Sequence, residues 1–105
     1  MQIQVNTDHF IHGDERLIEI VEAAVQSELG HMSDRLTRVE VHLKDQNAEK
    51  HGPAHIRCTM EARPRGLGPM AAHQDSADIP AALKGAAKKL RGRLSSEFKK
   101  LDPHR

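Results

Sequence analysis

The feature that most constrains the fold is one apolar stripe along the C-terminal quarter of the chain. Its members step by four, three, four, four and three residues: Leu83, Ala87, Leu90, Leu94, Phe98 and Leu101. That spacing places all of them on one face of an α-helix. Asp78 is a suitable N-cap, Pro80 is tolerated in a first turn, and Pro103 stops a helix. The sequence therefore predicts a helix over about 79–101 that must bury one side against another layer.

Three earlier segments alternate between apolar and polar residues, which is typical of half-buried strands. They cover 1–6, 38–44 and 55–63, and their inward set is Ile3, Val5, Val39, Val41, Leu43, Ile56, Cys58, Met60 and Ala62. A short fourth strand is expected at 70–74, after a turn rich in Gly and Pro. After the first strand, Leu17, Val21, Ala24, Val25 and Leu29 recur at helical spacing. Asp14 is the expected N-cap of this helix and Gly30 its expected end. The predicted order is β-α-β-β-β-α, an α+β fold in a single domain covering 1–105.

The charges are divided unevenly along the chain. From residue 76 to the end there are eight basic residues against three acids, whereas the first 75 residues carry eight basic residues and twelve acids. The net charge of +1 thus hides a segment of +5 attached to a body of −4. A basic helix on a mildly acidic body is the electrostatic pattern of a protein that binds a polyanion.

The basic residues of the last helix form two rows beside its apolar stripe. Lys84, Lys88, Arg91 and Lys99 form one row, and Lys89, Arg93 and Lys100 form the other. We expect both rows to project from one outer surface over about 25 Å, at 1.5 Å per residue. Gly85 and Gly92 are expected on the same outward side. Charges at intervals along a rod can meet successive phosphates and release counterions.

Composition excludes several other classes of function. Phe10 and Phe98 are the only aromatic residues, and neither forms an aromatic pair on a strand, so a platform for stacking single-stranded bases is not expected. No Cys and His spacing matches a zinc site. Cys58 is alone, no N-terminal run resembles a signal peptide, and no apolar stretch could span a bilayer. We therefore expect a soluble cytoplasmic protein without cofactor or membrane partner, which recognises RNA by shape and phosphate.

This arrangement resembles the ribosome hibernation-promoting factors, also called ribosome-associated inhibitors or sigma-54 modulation proteins. The matching features are the opening Met-Gln-Ile-Gln-Val strand, an acidic first helix, three strands, and a last helix that begins Asp-Ile-Pro-Ala-Ala-Leu and continues Lys-Lys-Leu-Arg-Gly-Arg-Leu. Pro80 departs from the family, which usually has an aromatic residue there. Because the sequence stops at Arg105, we expect a short form without the C-terminal dimerisation domain of long members.

The resemblance implies two helices on one face of a four-stranded sheet, similar to double-stranded-RNA-binding domains. It implies binding to the small ribosomal subunit and its ribosomal RNA, in the channel of messenger and transfer RNA near the decoding centre. Translation would be inhibited by occupancy, and a second hibernation factor is a candidate partner. The residues expected to contact phosphate are Lys84, Lys88, Lys89, Arg91, Arg93, Lys99 and Lys100. Charge and position alone add Arg57, Arg63 and Arg65.

Two alternatives stay open at this point. Eight histidines invite an enzyme or a metal site, but no carboxylate completes a recognisable metal set, so we do not expect an enzyme or a small-molecule substrate. A protein-interaction module is the second alternative, since basic helices also dock onto acidic proteins. A sigma factor is a candidate for that role.

Overall fold

Four strands form one mixed sheet whose spatial order follows the chain. A computed structural model describes residues 1–50 and 52–102. The strands are β1 (Gln2–Thr7), β2 (Leu36–Asp45), β3 (Ile56–Pro64) and β4 (Met70–Ser76), and the helices are α1 (Glu15–Leu29) and α2 (Ile79–Leu101). The sheet order is β1-β2-β3-β4, which leaves β1 and β4 at its edges.

The strand directions place both helices on one layer. β1 pairs parallel to β2, so α1 is the crossover between them, whereas β2, β3 and β4 pair antiparallel through hairpins. α1 packs against α2, and α2 packs on β3 and β4. The predicted element order, the single domain and the two-layer α+β fold are confirmed.

Both helix starts follow the sequence prediction. Oδ1 of Asp14 accepts the backbone N–H of Leu17 at 2.9 Å, and Oδ1 of Asp78 accepts that of Ala81 at 2.8 Å. Each bond satisfies an N–H that the helix itself leaves unpaired, a contribution of about 1 kcal/mol. Gly30 is the C-cap of α1, as expected from the sequence. Its φ of −59° is right-handed, however, and the chain continues there into a 3₁₀ segment, Gly30–Arg35, that the periodicity did not indicate.

The core is mainly aliphatic, as expected because the whole chain has only two aromatic residues. Every inward residue predicted on β2 and β3 is buried, while Ile3 and Val5 on the edge strand β1 are half-buried. The stripe of α2 is buried from Leu83 to Phe98, and it also includes the small residues Ala82 and Ala86. Leu101 is 51% exposed, so its inclusion in the stripe was wrong: the last turn of the helix extends past the layer it packs on.

β2 and β4 are longer than the alternation alone predicted, whereas β1 and β3 have the predicted length, shifted by one residue. β2 begins at Leu36 because a bulge between Leu36 and Arg38 shifts the pairing with β3 by one residue. That extra residue, Thr37, donates its hydroxyl to the carbonyl of Arg63 at 2.9 Å. β4 extends two residues beyond its predicted end. Pro103, the expected helix stop, lies outside the described residues.

Candidate nucleic-acid interface

The seven basic residues of α2 are all solvent-exposed. They share this helix with one acid, Glu97, so its net charge is +6, whereas α1 carries four acids and one arginine and has a net charge of −3. The apolar stripe fixes which side of α2 faces the sheet and thereby which sides carry the cations. The structure thus brings together on one element all seven helix residues that the sequence proposed.

The first row lies on the side of α2 that faces α1. Nη1 of Arg91 is 3.0 Å from Oε1 of Glu28, whose side chain is only 12% exposed. Lys84 borders a shallow cavity between the helices, beside Ala24 and Glu28. Lys84, Lys88 and Lys99 make no ion pair with any residue that the structure describes. Their charges are therefore available to an external anion.

The second row lies on the opposite flank, against the free edge of the sheet. Nζ of Lys89 donates to the carbonyl of His73 at 3.1 Å, and Nη1 of Arg93 donates to the carbonyl of Ala71 at 2.8 Å. The prediction that both rows project from one outer surface is wrong, because consecutive residues such as Lys88 and Lys89 differ by about 100° around a helix. Without these two side chains, both carbonyls of the edge strand β4 would be free to hydrogen-bond with a strand of another molecule.

Lys100, the last member of that row, pairs with the single acid of the helix. Its Nζ lies 3.5 Å from Oε1 of Glu97, one turn earlier. Exposed pairs of this kind contribute little to stability, so Lys100 stays able to exchange Glu97 for another anion.

The two glycines of α2 have different surroundings. A Cβ at Gly85 would collide with the side chain of Gln74, so this glycine faces β4 and permits close packing of the helix on the strand. Its predicted outward position was wrong. A Cβ at Gly92 would meet nothing within 4 Å. Gly92 lines an open cleft of about 640 Å³ together with His73, Lys89 and Arg93.

Arg57 lies on the sheet face opposite the helices and is engaged by Asp75. Its Nε and Nη2 donate to the two carboxylate oxygens at 2.7 and 2.9 Å, a bidentate pair, and Nε2 of His55 lies 3.4 Å from the same carboxylate. The hydrogen bond from Arg57, supported by that of His55, holds the pKa of Asp75 well below its usual range. The hydrogen bond with Asp75 raises the pKa of Arg57 in return. A phosphate would have to displace Asp75 to bind Arg57.

Arg63 belongs to a second ion-pair group on the same face. Its Nη2 lies 3.2 Å from Glu61 and 3.5 Å from Glu40, and Glu40 also pairs with Arg38 at 2.7 Å. The acids of this face thus balance most of its arginine charge, in contrast to α2.

Arg65 lies at the end of the molecule where the helices finish. Its Nε donates to the carbonyl of Asp34 at 3.1 Å. Nearby, the guanidinium of Arg35 lies 3.8 Å from the centre of the Phe98 ring and 3.5 Å from Asp102. Arg35 was not among the residues expected from the sequence, because it belongs to the 3₁₀ segment, which no hydrophobic period marks. The structure does not bring the three strand and turn arginines onto the surface of α2.

The structure also shows the surroundings of Cys58 and of the residue types that could bind a metal ion. Cys58 is buried, which raises the pKa of its thiol to about 12. Within the described ranges 1–50 and 52–102, no group of three or more His, Cys, Asp or Glu residues is arranged to hold a metal ion. In that same part of the chain, no helix has both the length and the apolar character to cross a membrane.

Comparison with known proteins gives one family and a common fold. A family model described as sigma 54 modulation protein / S30EA ribosomal protein matches residues 3–102. The solved structure of a ribosomal subunit interface protein from Coxiella burnetii superposes with a TM-score of 0.76 at 15% identity, covering 93% of this chain and 98% of that one. The Protein Y N-terminal domain of Thermus thermophilus gives 0.67 at 16% identity, covering 89% and 94%. No curated protein sequence matches the chain. At these identities the structural likeness establishes the fold.

Proposed function

The chain belongs to the sigma 54 modulation protein / S30EA ribosomal protein family of ribosome-associated proteins, and on that premise we propose that it is a hibernation factor. In this proposal the protein binds the small ribosomal subunit in the channel used by messenger and transfer RNA near the decoding centre. It inhibits translation by occupying that channel and needs no chemical step. The relative from Coxiella burnetii, described as a ribosomal subunit interface protein, supports this assignment.

The observation that carries the proposal is the charge of α2. Seven exposed basic residues extend along one helix with a net charge of +6, and Lys84, Lys88 and Lys99 lack any acidic partner among the described residues. Ribosomal RNA offers phosphates at regular intervals along its backbone. Each phosphate that a Lys or Arg neutralises releases counterions, which favours binding without reading base sequence.

The acidic helix next to α2 orients the domain. α1, with a net charge of −3, lies beside α2 in the same layer, so one side of the layer attracts phosphate and the other is repelled by it. Such a distribution steers encounter and fixes orientation more than it adds affinity. The open sheet face, whose arginines are paired with acids, is expected to contribute less than α2.

Co-sedimentation with purified small and large ribosomal subunits tests this proposal. The variants are Lys88→Glu, Lys99→Glu and the double substitution, each at an exposed position with no ion pair to break in the described structure. We expect the unmodified protein to bind the small subunit and to inhibit translation in vitro, and the double variant to lose both. Higher salt should weaken binding of the unmodified protein more steeply than that of the single variants.

The matched control is Arg16→Glu on the exposed side of α1, which changes the net charge by the same amount as either single variant. It should bind as the unmodified protein does. Equal losses for Arg16→Glu and Lys88→Glu would mean that only net charge matters and would remove α2 from the interface. Binding that depends on a ribosomal protein and resists removal of RNA by nuclease would favour the protein-interaction module.

A further inference from the structure

An exposed aromatic pair lies in the connection between β1 and α1. Phe10 is 45% exposed, and its ring centre is 4.0 Å from that of His9, with 38° between the planes. The chain has only one other Phe, Tyr or Trp, which is Phe98 in the core. One of its two phenyl rings therefore remains at the surface of a protein whose core needs apolar area.

This loop is held in place by Asp8. Its Oδ1 accepts the backbone N–H groups of Phe10 at 3.0 Å and Ile11 at 3.1 Å, and its Oδ2 accepts the N–H of Asp45 at 2.9 Å. The backbone N–H of Asp8 in turn donates to the carbonyl of Leu43 at 3.2 Å. These bonds tie the loop to the end of β2 and hold the backbone that carries the exposed Phe10 ring.

Two lysines lie beside the aromatic pair. Lys44 at the end of β2 and Lys50 in the following turn line, with His9 and Phe10, a cleft of about 650 Å³. That volume lies within the range of natural small-ligand sites. Two aspartates also border the cleft, but their oxygens accept backbone N–H groups: Asp8 as described, and Asp45 from Asn47 at 3.0 Å. Both aspartates keep their negative charge, so the rim is close to neutral overall, and Lys44 and Lys50 are its two cationic donors for an anion.

We propose that this cleft binds one unpaired nucleobase of ribosomal RNA, stacked on the Phe10 ring, with Lys44 and Lys50 on the phosphates that flank it. An aromatic face next to basic side chains is the usual arrangement for an unstacked base, because every base has a π-face and every nucleotide a phosphate. The inference rests on the proposed function and adds a contact away from α2: the loop follows the edge strand β1, whereas α2 packs on β3 and β4.

The test compares Phe10→Ala, Phe10→Leu and Phe10→Trp for affinity to the small subunit, with chemical probing of base reactivity in its RNA. Leu keeps apolar area without a π-face, and Trp keeps the π-face. Removing one base–aromatic stack weakens binding by about 5- to 150-fold. We expect that loss for Phe10→Ala and Phe10→Leu, near-normal binding for Phe10→Trp, and loss of protection at one nucleotide only. Thermal unfolding of each variant should stay close to that of the unmodified protein, because Phe10 does not belong to the hydrophobic core.

Three outcomes would overturn the inference. Phe10→Leu binding as tightly as the unmodified protein, with Phe10→Ala weakened, would assign the ring to an apolar contact with a ribosomal protein. Unchanged affinity and protection in all three variants would remove the cleft from the interface, and if Lys88→Glu with Lys99→Glu still abolished binding, the proposed function would stand without it. Failure of the unmodified protein to bind either subunit would refute both proposals.

Discussion

Gly92 is a position at which alanine should raise the stability of the protein and arginine should raise its affinity for RNA. A glycine inside a helix costs about 0.5–1 kcal/mol relative to alanine, because its unfolded backbone has more freedom to lose. A Cβ at Gly92 would meet nothing within 4 Å, and its φ is not in the left-handed region. Gly92→Ala should therefore increase the free energy of unfolding by most of that amount.

Gly92→Arg places a cation at the same position. Arginine has nearly the helix propensity of alanine, but it would lie four and three residues from Lys88 and Lys89, and each like-charge pair costs about 0.2–0.5 kcal/mol. The stability of Gly92→Arg should therefore be lower than that of Gly92→Ala and close to that of the unmodified protein. The new guanidinium would stand beside Lys88 and Lys89 on an exposed side of α2, raising the net charge of the helix by one. One further phosphate contact steepens the slope of log affinity against log salt by about 0.7–0.9. We thus expect tighter binding at low salt and a steeper salt dependence.

Urea unfolding followed by circular dichroism measures the first effect, and subunit co-sedimentation at several salt concentrations measures the second. Gly92→Ala is the control for helix propensity alone, and its affinity should not change. Gly85→Ala is the control for position, since its Cβ would displace the side chain of Gln74 and should destabilise the fold. If Gly92→Arg were folded but bound no more tightly than Gly92→Ala, phosphates would not lie along this side of the helix.

Three further predictions concern buried residues of the core and the ion pair between the two helices. Arg91→Glu should lower the free energy of unfolding by about 1–3 kcal/mol, because Oε1 of Glu28 is shielded from solvent and would lose its cation at 3.0 Å; an unchanged urea midpoint would contradict this. Leu90→Ala, at a fully buried position, should cost about 2–5 kcal/mol in the same assay, and a loss below 1 kcal/mol would mean that the helix packs differently. The Cys58 thiol should resist iodoacetamide until urea unfolds the protein. Because burial raises its pKa from 9.0 to about 12, the unfolded thiol ionises first, and its contribution to stability should be lost as pH rises from 9 towards 12. Rapid alkylation without urea would contradict that burial.

The fold could be predicted from the sequence because its signals are local. Alternation on β2 and β3 and the stripe from Leu83 to Phe98 follow from which faces are buried, and the caps Asp14 and Asp78 follow from unpaired N–H groups. The 3₁₀ segment and the bulge at Thr37 could not be predicted, since neither has a hydrophobic period.

The composition of the candidate site could be predicted, but its geometry could not. Charge counts found the seven cations of α2, yet which of them remain unpaired depends on residues distant in sequence. Arg91 meets Glu28 from α1, and Arg93 meets a carbonyl of β4. The exposed aromatic pair was missed for the same reason: only the fold places Lys44 and Lys50 beside Phe10.

Directed hydroxyl-radical cleavage can show which helix of the bound protein faces ribosomal RNA. The single cysteine is buried, so Ser96→Cys on α2 and Ala23→Cys on α1, both exposed positions, can each carry one iron chelate. If α2 faces the RNA, a chelate at position 96 should cleave small-subunit ribosomal RNA near the decoding centre, and one at position 23 should cleave this RNA weakly. Strong cleavage from position 23 with none from position 96 would mean that the acidic helix faces the RNA and would refute the proposed role of α2.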